Sequence, residues 1–239
     1  MDIIIPGRFN GPTASANGGY AAGSIAALVD GPAAVRLTSA PPLDTAMRVV
    51  EEHGGFYAYR GDDVVLSAAP AILDLEVPAP VPNDAAILAT EDYPGWTYHG
   101  APTCFVCGPA RAAPDGLRIF PGPVRGRDLV AAPWTPHASL GDAAGTVDAR
   151  IVWAVLDCPG AWAATAADPE GMPYFPALGT MTGAIDEPVT VGEPLIVLAW
   201  HLGTDGRKLH TAAAIMTEDG RLKARARHIE IKLSPDWAG

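Results

Sequence analysis

The sequence predicts an α+β fold built from two similar halves. In each half, one helix-prone segment precedes a series of strand-like segments joined by short turns. The helix predicted for the second half is mostly apolar, which is typical of a helix enclosed by other elements. A helix followed by an antiparallel meander, occurring twice in 239 residues, indicates two α+β units in one chain.

The first half is predicted to span residues 1–78. An Ala-rich segment, Gly19 to Val29, favours a helix that ends near Asp30-Gly31-Pro32. The turn Arg60-Gly61-Asp62-Asp63 is typical of a hairpin. The strand-like segments of this half are 34–39, 46–51, 55–60 and 64–73.

Residues 79–103 are predicted to form a linker. They are rich in Pro, Ala and Asp and have no sustained hydrophobic period. Trp96 and Tyr98 indicate that this linker packs on the body of the protein.

The second half is predicted to span residues 104–239. A mostly apolar segment from about Val147 to Ala166 predicts a buried central helix. Asp219-Gly220 is a strong hairpin signal between the last two strands. The strand-like segments are 117–120, 128–132, 178–185, 194–202, 208–217 and 221–233.

Composition and charge narrow the functional classes. No apolar run has membrane-spanning length, and the N-terminus lacks the features of a signal peptide, so we expect a soluble cytoplasmic protein. The net charge of −11 disfavours binding to nucleic acid or to an anionic membrane. An anionic ligand would need local basic residues, and the candidates are Arg111, Arg118, Arg125 and Arg127. A solvated arginine-bearing loop is the favoured interpretation of these four.

Three cysteines argue against a disulfide framework. Cys104-Phe105-Val106-Cys107 is a CxxC motif, but neither a second CxxC nor a paired His motif follows it to complete a zinc site. A redox CxxC usually opens a helix, whereas Gly108-Pro109 follows here and predicts a turn. The sequence therefore predicts neither a metal nor another cofactor.

A motif is divided between the two halves. Asn17-Gly18-Gly19 stands at the start of the first predicted helix. In the second half, Asp148-Ala149-Arg150 opens the helix, and Asp157 follows nine positions after Asp148. Each half keeps the part that the other lacks, which favours one composite site assembled from two copies.

These features resemble the hotdog thioesterases, and the two units in one chain resemble the double-hotdog acyl-CoA thioesterases. In related single-domain enzymes the helix opens with His-Gly-Gly and has a carboxylate nine residues after the His. Asp157 matches that carboxylate and Asn17-Gly18-Gly19 matches the glycine turn, whereas Asp148-Ala149-Arg150 departs from the motif. The segment 104–108, followed by Asp115-Gly116-Leu117, is similar to the lead-in to the first strand in that family. The resemblance implies two tandem hotdog units, each with an antiparallel sheet around a central helix, that form a pseudo-dimer.

The resemblance also implies further site residues. Leu156-Asp157 followed by Trp162 is similar to the Leu-Asp-x₃-Trp stretch of bacterial double-hotdog enzymes, with the Trp one position later. In those enzymes a Thr and a Gln from later strands accompany the Asp. Their counterparts here would be Thr204 and His228, and His in place of Gln is a departure.

Thioester hydrolysis fits these residue types. A carboxylate on an apolar helix has its pKa raised by desolvation, which suits Asp157 to activate water near neutral pH. Amides at a helix N-terminus, here at Asn17, Gly18 and Gly19, can stabilise an oxyanion. The sequence therefore predicts a hydrolase of acyl-CoA or acyl-carrier thioesters.

Alternatives remain open for each residue and for the function. Asn17 can be only a helix N-cap before a tight turn, and Asp157 can cap a helix kinked at Pro159. Thr204 can belong to a hairpin turn, and His228 can point outward from its strand. The alternative functions are a non-catalytic acyl-ligand-binding protein and, less favoured, an acyl hydratase or dehydratase. Further pairing of chains into a homo-oligomer is also compatible with the sequence.

Overall fold

A computed structural model describes residues 1–168 and 174–234 of the chain. Within these residues, eleven strands form a single sheet with antiparallel pairing, and three α-helices pack against it. The strands are β1 (Asp2–Ile3), β2 (Ala33–Leu37), β3 (Met47–Glu52), β4 (Gly55–Arg60), β5 (Asp63–Pro70), β6 (Gly122–Pro123), β7 (Val130–Trp134), β8 (Phe175–Ile185), β9 (Leu195–Asp205), β10 (Lys208–Met216) and β11 (Leu222–Leu233). The helices are α1 (Gly18–Ala26), α2 (Asn83–Glu91) and α3 (Ala149–Ala167). In the part of the chain described, no helix combines the length and apolar character needed to cross a bilayer.

The sheet runs continuously through both halves of the sequence. Its strand order is β1-β3-β4-β5-β2-β8-β11-β10-β9-β7-β6. β2 and β8 join the two halves, with Ala33 opposite Gly183 and Arg36 opposite Thr180. The hairpin predicted at Asp219-Gly220 is confirmed by the antiparallel pairing of β10 with β11.

Helices α1 and α3 cross in close contact. A Cβ atom on Gly19 would lie 2.5 Å from the Trp153 carbonyl oxygen, and one on Gly23 would lie 2.9 Å from the Arg150 Cα. Because real side chains do not approach backbone atoms so closely, both positions require glycine. The two glycines lie one turn apart on the same side of α1, so they form the surface against which α3 packs.

Helix α3 is enclosed on most sides, as its apolar sequence predicts. It packs against β8, β9, β10 and β11 as well as against α1. The Asp148 side chain caps its N-terminus by accepting a hydrogen bond from the Arg150 N–H at 2.9 Å. The helix continues through Pro159, so Asp157 lies in the helix interior and does not cap a new segment.

The predicted linker contains a helix that the sequence analysis did not predict. Residues Asn83–Glu91 form α2, with Ala86 and Ala89 buried on one side. Gly122 packs so closely on the Ala89 carbonyl that no side chain would fit there. The contact of α2 with β6 and β7 therefore stabilises a helix in a segment whose composition alone indicated a loop.

The strand predicted at residues 117–120 is absent from the secondary structure. Its backbone instead bonds to the CxxC loop: the Leu117 N–H donates to the Phe105 carbonyl at 2.8 Å, and the Ile119 N–H donates to the Val106 carbonyl at 3.0 Å. Arg118 has a φ of 55°, which interrupts the extended backbone, and the partner of the segment is an irregular loop. Its hydrogen bonds therefore tie the CxxC loop to the core and do not extend the sheet.

Candidate functional site

The N-terminus of α1 lies beside the middle of α3. Asn17 is the N-cap of α1, and its Oδ1 accepts a hydrogen bond from the Tyr20 N–H at 2.9 Å. Its Nδ2 donates to Asp157 Oδ2 at 3.2 Å, and the Gly19 N–H donates to the same oxygen at 2.8 Å. The structure thus brings together the two parts of the divided motif, which are 138 residues apart in sequence.

Asp157 is a buried carboxylate with only 7% of its surface exposed. Burial raises the pKa of Asp157 to about 7, although the hydrogen bonds from Gly19 and Asn17 oppose this rise. The N-terminus of α1 also stabilises the charged form, because the helix dipole and the free amides there favour an anion. Asp157 can therefore exist as a carboxylate or as an acid near neutral pH, which is the requirement for proton exchange with a substrate.

Gly18 lies between this carboxylate and the open space next to it. A Cβ atom on Gly18 would lie 3.2 Å from Asp157 Oδ2 and 3.0 Å from the Leu178 Cβ. No residue in the described part of the chain accepts a hydrogen bond from the Gly18 N–H. Gly19 differs, since its N–H already binds Asp157. The Asn17 N–H donates to the Phe9 carbonyl at 2.8 Å. Of the three predicted oxyanion donors, Gly18 is therefore the one whose amide is not engaged.

A cavity of about 390 Å³ opens beside Asp157. Its volume lies in the range of small-molecule binding sites. The apolar side chains that line it include Leu37, Trp162, Phe175, Leu178, Ile231 and Leu233. The polar groups at its wall include Asn17, Asp157 and Glu230. The cavity therefore combines an apolar space with a small group of polar side chains.

Glu230 is a second buried carboxylate at this cavity, and the sequence analysis did not single it out. It is 1% exposed, and no residue in the described ranges bonds its Oε1. Burial, and then repulsion from Asp157, raises the pKa of Glu230 well above its ordinary value. The signal for it was the period-two pattern of β11, which places Glu230 on the same buried side as Ala226 and His228.

The structure places His228 inward, behind α3. Its Nδ1 lies 3.2 Å from Thr211 Oγ1, and a Cβ on Gly160 would lie 2.9 Å from the same nitrogen. Burial lowers the pKa of His228 to about 3, so the ring is neutral at physiological pH. His228 thus packs one turn beyond Asp157 along α3, but it is not among the residues that line the cavity.

Thr204 is not brought to the site. It is exposed at the end of β9, where its Oγ1 lies 3.0 Å from the His201 Nε2. Thr204 pairs with Leu209 of β10, so it belongs to the strand and lies two residues before the turn at Gly206. The buried threonine behind α3 is Thr211, the partner of His228.

All three cysteines gather at one wall of the cavity. Cys104 and Cys107 come from the CxxC loop, and Cys158 comes from α3. The Cys104 and Cys158 sulfur atoms are 3.7 Å apart, and the three sulfur atoms all lie within 4.8 Å of one another. The CxxC motif contains two thiols, and the fold adds a third from α3.

Two of the four candidate arginines hold loops together. Arg111 donates to the Asn10 side chain and to the Thr103 carbonyl, the latter at 3.0 Å. Arg127 donates to the Pro80 carbonyl at 2.9 Å. Neither arginine is among the residues that line the cavity. Their hydrogen bonds are therefore structural, and they leave no reason to assign these two residues to an anionic ligand.

Comparison with solved structures gives similar folds among thioesterases. The chain matches the acyl-CoA thioesterase II TesB2 from Mycobacterium marinum with a TM-score of 0.55 and 13% identity, over 86% of this chain and 80% of that chain. It matches the tesB protein from Mycobacterium avium subs paratuberculosis with a TM-score of 0.55 and 11% identity, over 90% of this chain and 86% of that chain. No protein-family model matches the chain, and no curated protein matches it significantly.

A shorter match is to a thioesterase superfamily protein, with a TM-score of 0.42 and 20% identity over 49% of this chain. The match spans about half of that protein, 55% of its length. The two TesB-type matches, which cover most of both chains, carry the conclusion about the fold. The chain therefore has an α+β hotdog fold similar to that of these two structures, as the resemblance implies.

Proposed function

We propose that the protein hydrolyses acyl-CoA or acyl-carrier thioesters. The observation that carries this proposal is the position of Asp157: it lies at a cavity wall, and the N-terminus of another helix donates two hydrogen bonds to it. The similarity of the fold to acyl-CoA thioesterases supports the same reaction class.

The composite site also supports a pair of tandem hotdog units within the chain. One unit would provide α1 and its N-terminal amides, and the other would provide α3 and the carboxylate. The antiparallel pairing of β2 with β8 joins the two corresponding parts of the sheet. In this arrangement the chain contains a pseudo-dimer, and each half provides one part of one site.

Asp157 is proposed to act as the general base. Its carboxylate takes a proton from a water molecule, and the water oxygen attacks the thioester carbonyl carbon. The Gly18 N–H donates to the carbonyl oxygen as that oxygen becomes negatively charged. When the tetrahedral intermediate collapses, the carbon–sulfur bond breaks, and the proton returns from Asp157 to the thiolate that leaves. The products are a carboxylic acid and a thiol.

Two other groups support this chemistry by position. Asn17 and Gly19 hold one carboxylate oxygen, which leaves the other oxygen of Asp157 to face a water molecule. The apolar lining of the cavity offers space for the acyl chain, which would exclude bulk water from the reacting carbonyl.

The proposal is tested by free-thiol release from a panel of acyl-CoA substrates. The Asp157→Asn variant removes the base but keeps the size of the side chain, and we expect kcat to fall by about 10²–10⁴-fold. Asp142→Asn is a matched control, because its Oδ1 also accepts two backbone N–H bonds, from Ala144 and Thr146, but at an exposed loop. The control should hydrolyse at the rate of the unmodified protein. Undiminished turnover by Asp157→Asn would exclude this mechanism.

One observation favours the second candidate, a non-catalytic acyl-binding protein. The Gly19 N–H, one of the predicted oxyanion donors, is already engaged by Asp157. The thiol-release assay, combined with thermal unfolding, distinguishes the two candidate functions. A binding protein would gain thermal stability with an acyl-CoA and would release no thiol.

A further inference from the structure

The three cysteines are arranged like the ligands of a metal ion. In tetrahedral zinc sites the Zn–S distance of about 2.3 Å places neighbouring sulfur atoms about 3.8 Å apart. The Cys104 and Cys158 sulfur atoms are 3.7 Å apart, and Cys107 completes a set within 4.8 Å. Cys104 and Cys107 are buried and Cys158 is half-buried. The sulfur spacing therefore fits one zinc ion with little movement of the side chains.

A backbone turn closes the CxxC loop. The Gly108 N–H donates to the Cys104 carbonyl at 3.0 Å, which closes the loop. Together with Cys158, the two cysteines of this loop place their sulfur atoms within 4.8 Å of one another.

Polar groups lie beside the Cys158 and Cys107 sulfur atoms. Asn17 Nδ2 lies 3.4 Å from Cys158 Sγ, and His99 Nε2 lies 3.4 Å from Cys107 Sγ. His99 Nδ1 accepts a hydrogen bond from the Ala101 N–H at 3.0 Å, so Nε2 carries the ring hydrogen and can donate. The nearer acceptor of that hydrogen is the Cys107 carbonyl, 3.1 Å from Nε2, so His99 binds the CxxC loop and is not a metal ligand. The Asn17 amide would stabilise the negative charge of a metal-bound Cys158 thiolate.

We propose that Cys104, Cys107 and Cys158 bind one Zn²⁺ ion as thiolates. Thiolate sulfur is a preferred zinc ligand, and three cysteines supply three of the four tetrahedral positions. All three cysteines line the cavity, so the fourth ligand would be a water molecule from the cavity. The ion would link the CxxC loop to α3 next to Asp157, and it would stabilise the wall of the site.

Metal analysis of protein purified under reducing conditions with zinc in the medium tests this proposal. We expect about one zinc per chain in the unmodified protein and a loss of stoichiometric zinc in Cys158→Ser and Cys104→Ser. Asp157→Asn is the matched control, because it changes the adjacent side chain but removes no thiol, and it should retain its zinc. This control also separates the two proposals, since it is expected to lose hydrolysis and to keep the metal.

Two measurements on the unmodified protein keep the test valid if a cysteine variant does not fold. Cobalt added to metal-free protein should give the visible absorption bands of a tetrahedral thiolate site. Bound zinc should also protect the three thiols from a thiol reagent until a chelator removes the metal. The proposal would be overturned if the unmodified protein contained no more zinc than Cys158→Ser and its three thiols reacted freely in the folded state. A disulfide in the protein purified under reducing conditions, or iron in place of zinc, would overturn it as well.

Discussion

The neutral ring of His228 makes the stability of the protein depend on pH in a predictable direction. In the unfolded chain this histidine has a pKa of about 6.5, whereas burial lowers its pKa in the folded protein to about 3. Between these two values the unfolded state binds a proton that the folded state does not bind. The contribution of His228 to stability is therefore fully present above pH 6.5 and is lost as the pH falls.

The size of the loss follows from the two pKa values. One pKa unit corresponds to about 1.4 kcal/mol. A pH of 5 lies about 1.5 units below the pKa of the unfolded state. The free energy of unfolding should therefore be about 2 kcal/mol lower at pH 5 than at pH 7.5. Asp157 and Glu230 act in the opposite direction, because burial raises their pKa values and their protonation at lower pH favours the folded state.

A His228→Gln variant isolates the histidine from these carboxylates. Glutamine does not titrate, and it retains a polar group toward Thr211. Urea unfolding of both proteins at several pH values should give free energies of unfolding that diverge by about 2 kcal/mol between pH 7.5 and pH 5, with the variant relatively more stable at the lower pH. Parallel curves over this range would refute the assignment of His228 as a buried neutral ring.

Two further predictions concern the start of α1. Gly19→Ala should lower the free energy of unfolding by more than about 2 kcal/mol, because its Cβ would collide with the backbone of α3. Gly18→Ala should lower it by less than about 1 kcal/mol, because the closest contacts of its Cβ would be side chains. Urea unfolding of the two variants measures both values. Asn17→Ser should keep the helix cap and most of the stability but lose the donor to Asp157, so acyl-CoA turnover should fall while the melting temperature changes little.

Most of the fold could be predicted from sequence because its signals are local. Turns such as Asp219-Gly220 indicate the meander strands, and an apolar composition indicates the enclosed helix. Helix α2 could not be predicted, since its nine residues are stabilised by contacts with β6 and β7 that no local pattern records. The strand predicted at residues 117–120 was wrong for the opposite reason. Their composition is strand-like, but their hydrogen-bond partner is a loop.

The site was predictable in part because one of its components is a motif. Asn17-Gly18-Gly19 and Asp157 stand at recognisable positions, and the structure brings them into contact. The only sequence signal for Glu230 is its place in the alternating pattern of β11. Nothing in the sequence indicates that its side chain shares a cavity with Asp157. Cys158 is similar, because its distance to Cys104 depends on how α3 lies against the CxxC loop.

The close crossing of α1 and α3 explains why the polar groups of the site come from different halves. Gly19 permits the two helix backbones to approach, and that approach alone brings its N–H within 2.8 Å of Asp157. The same approach buries the carboxylate and raises its pKa, which is unfavourable for a charge but favourable for a base. A larger residue at Gly19 would separate the helices. Asp157 would then lose its hydrogen-bond donors and become exposed to water at the same time. Gly19 is therefore required both for the packing of the two helices and for the chemistry of the site, and neither half could provide this arrangement by itself.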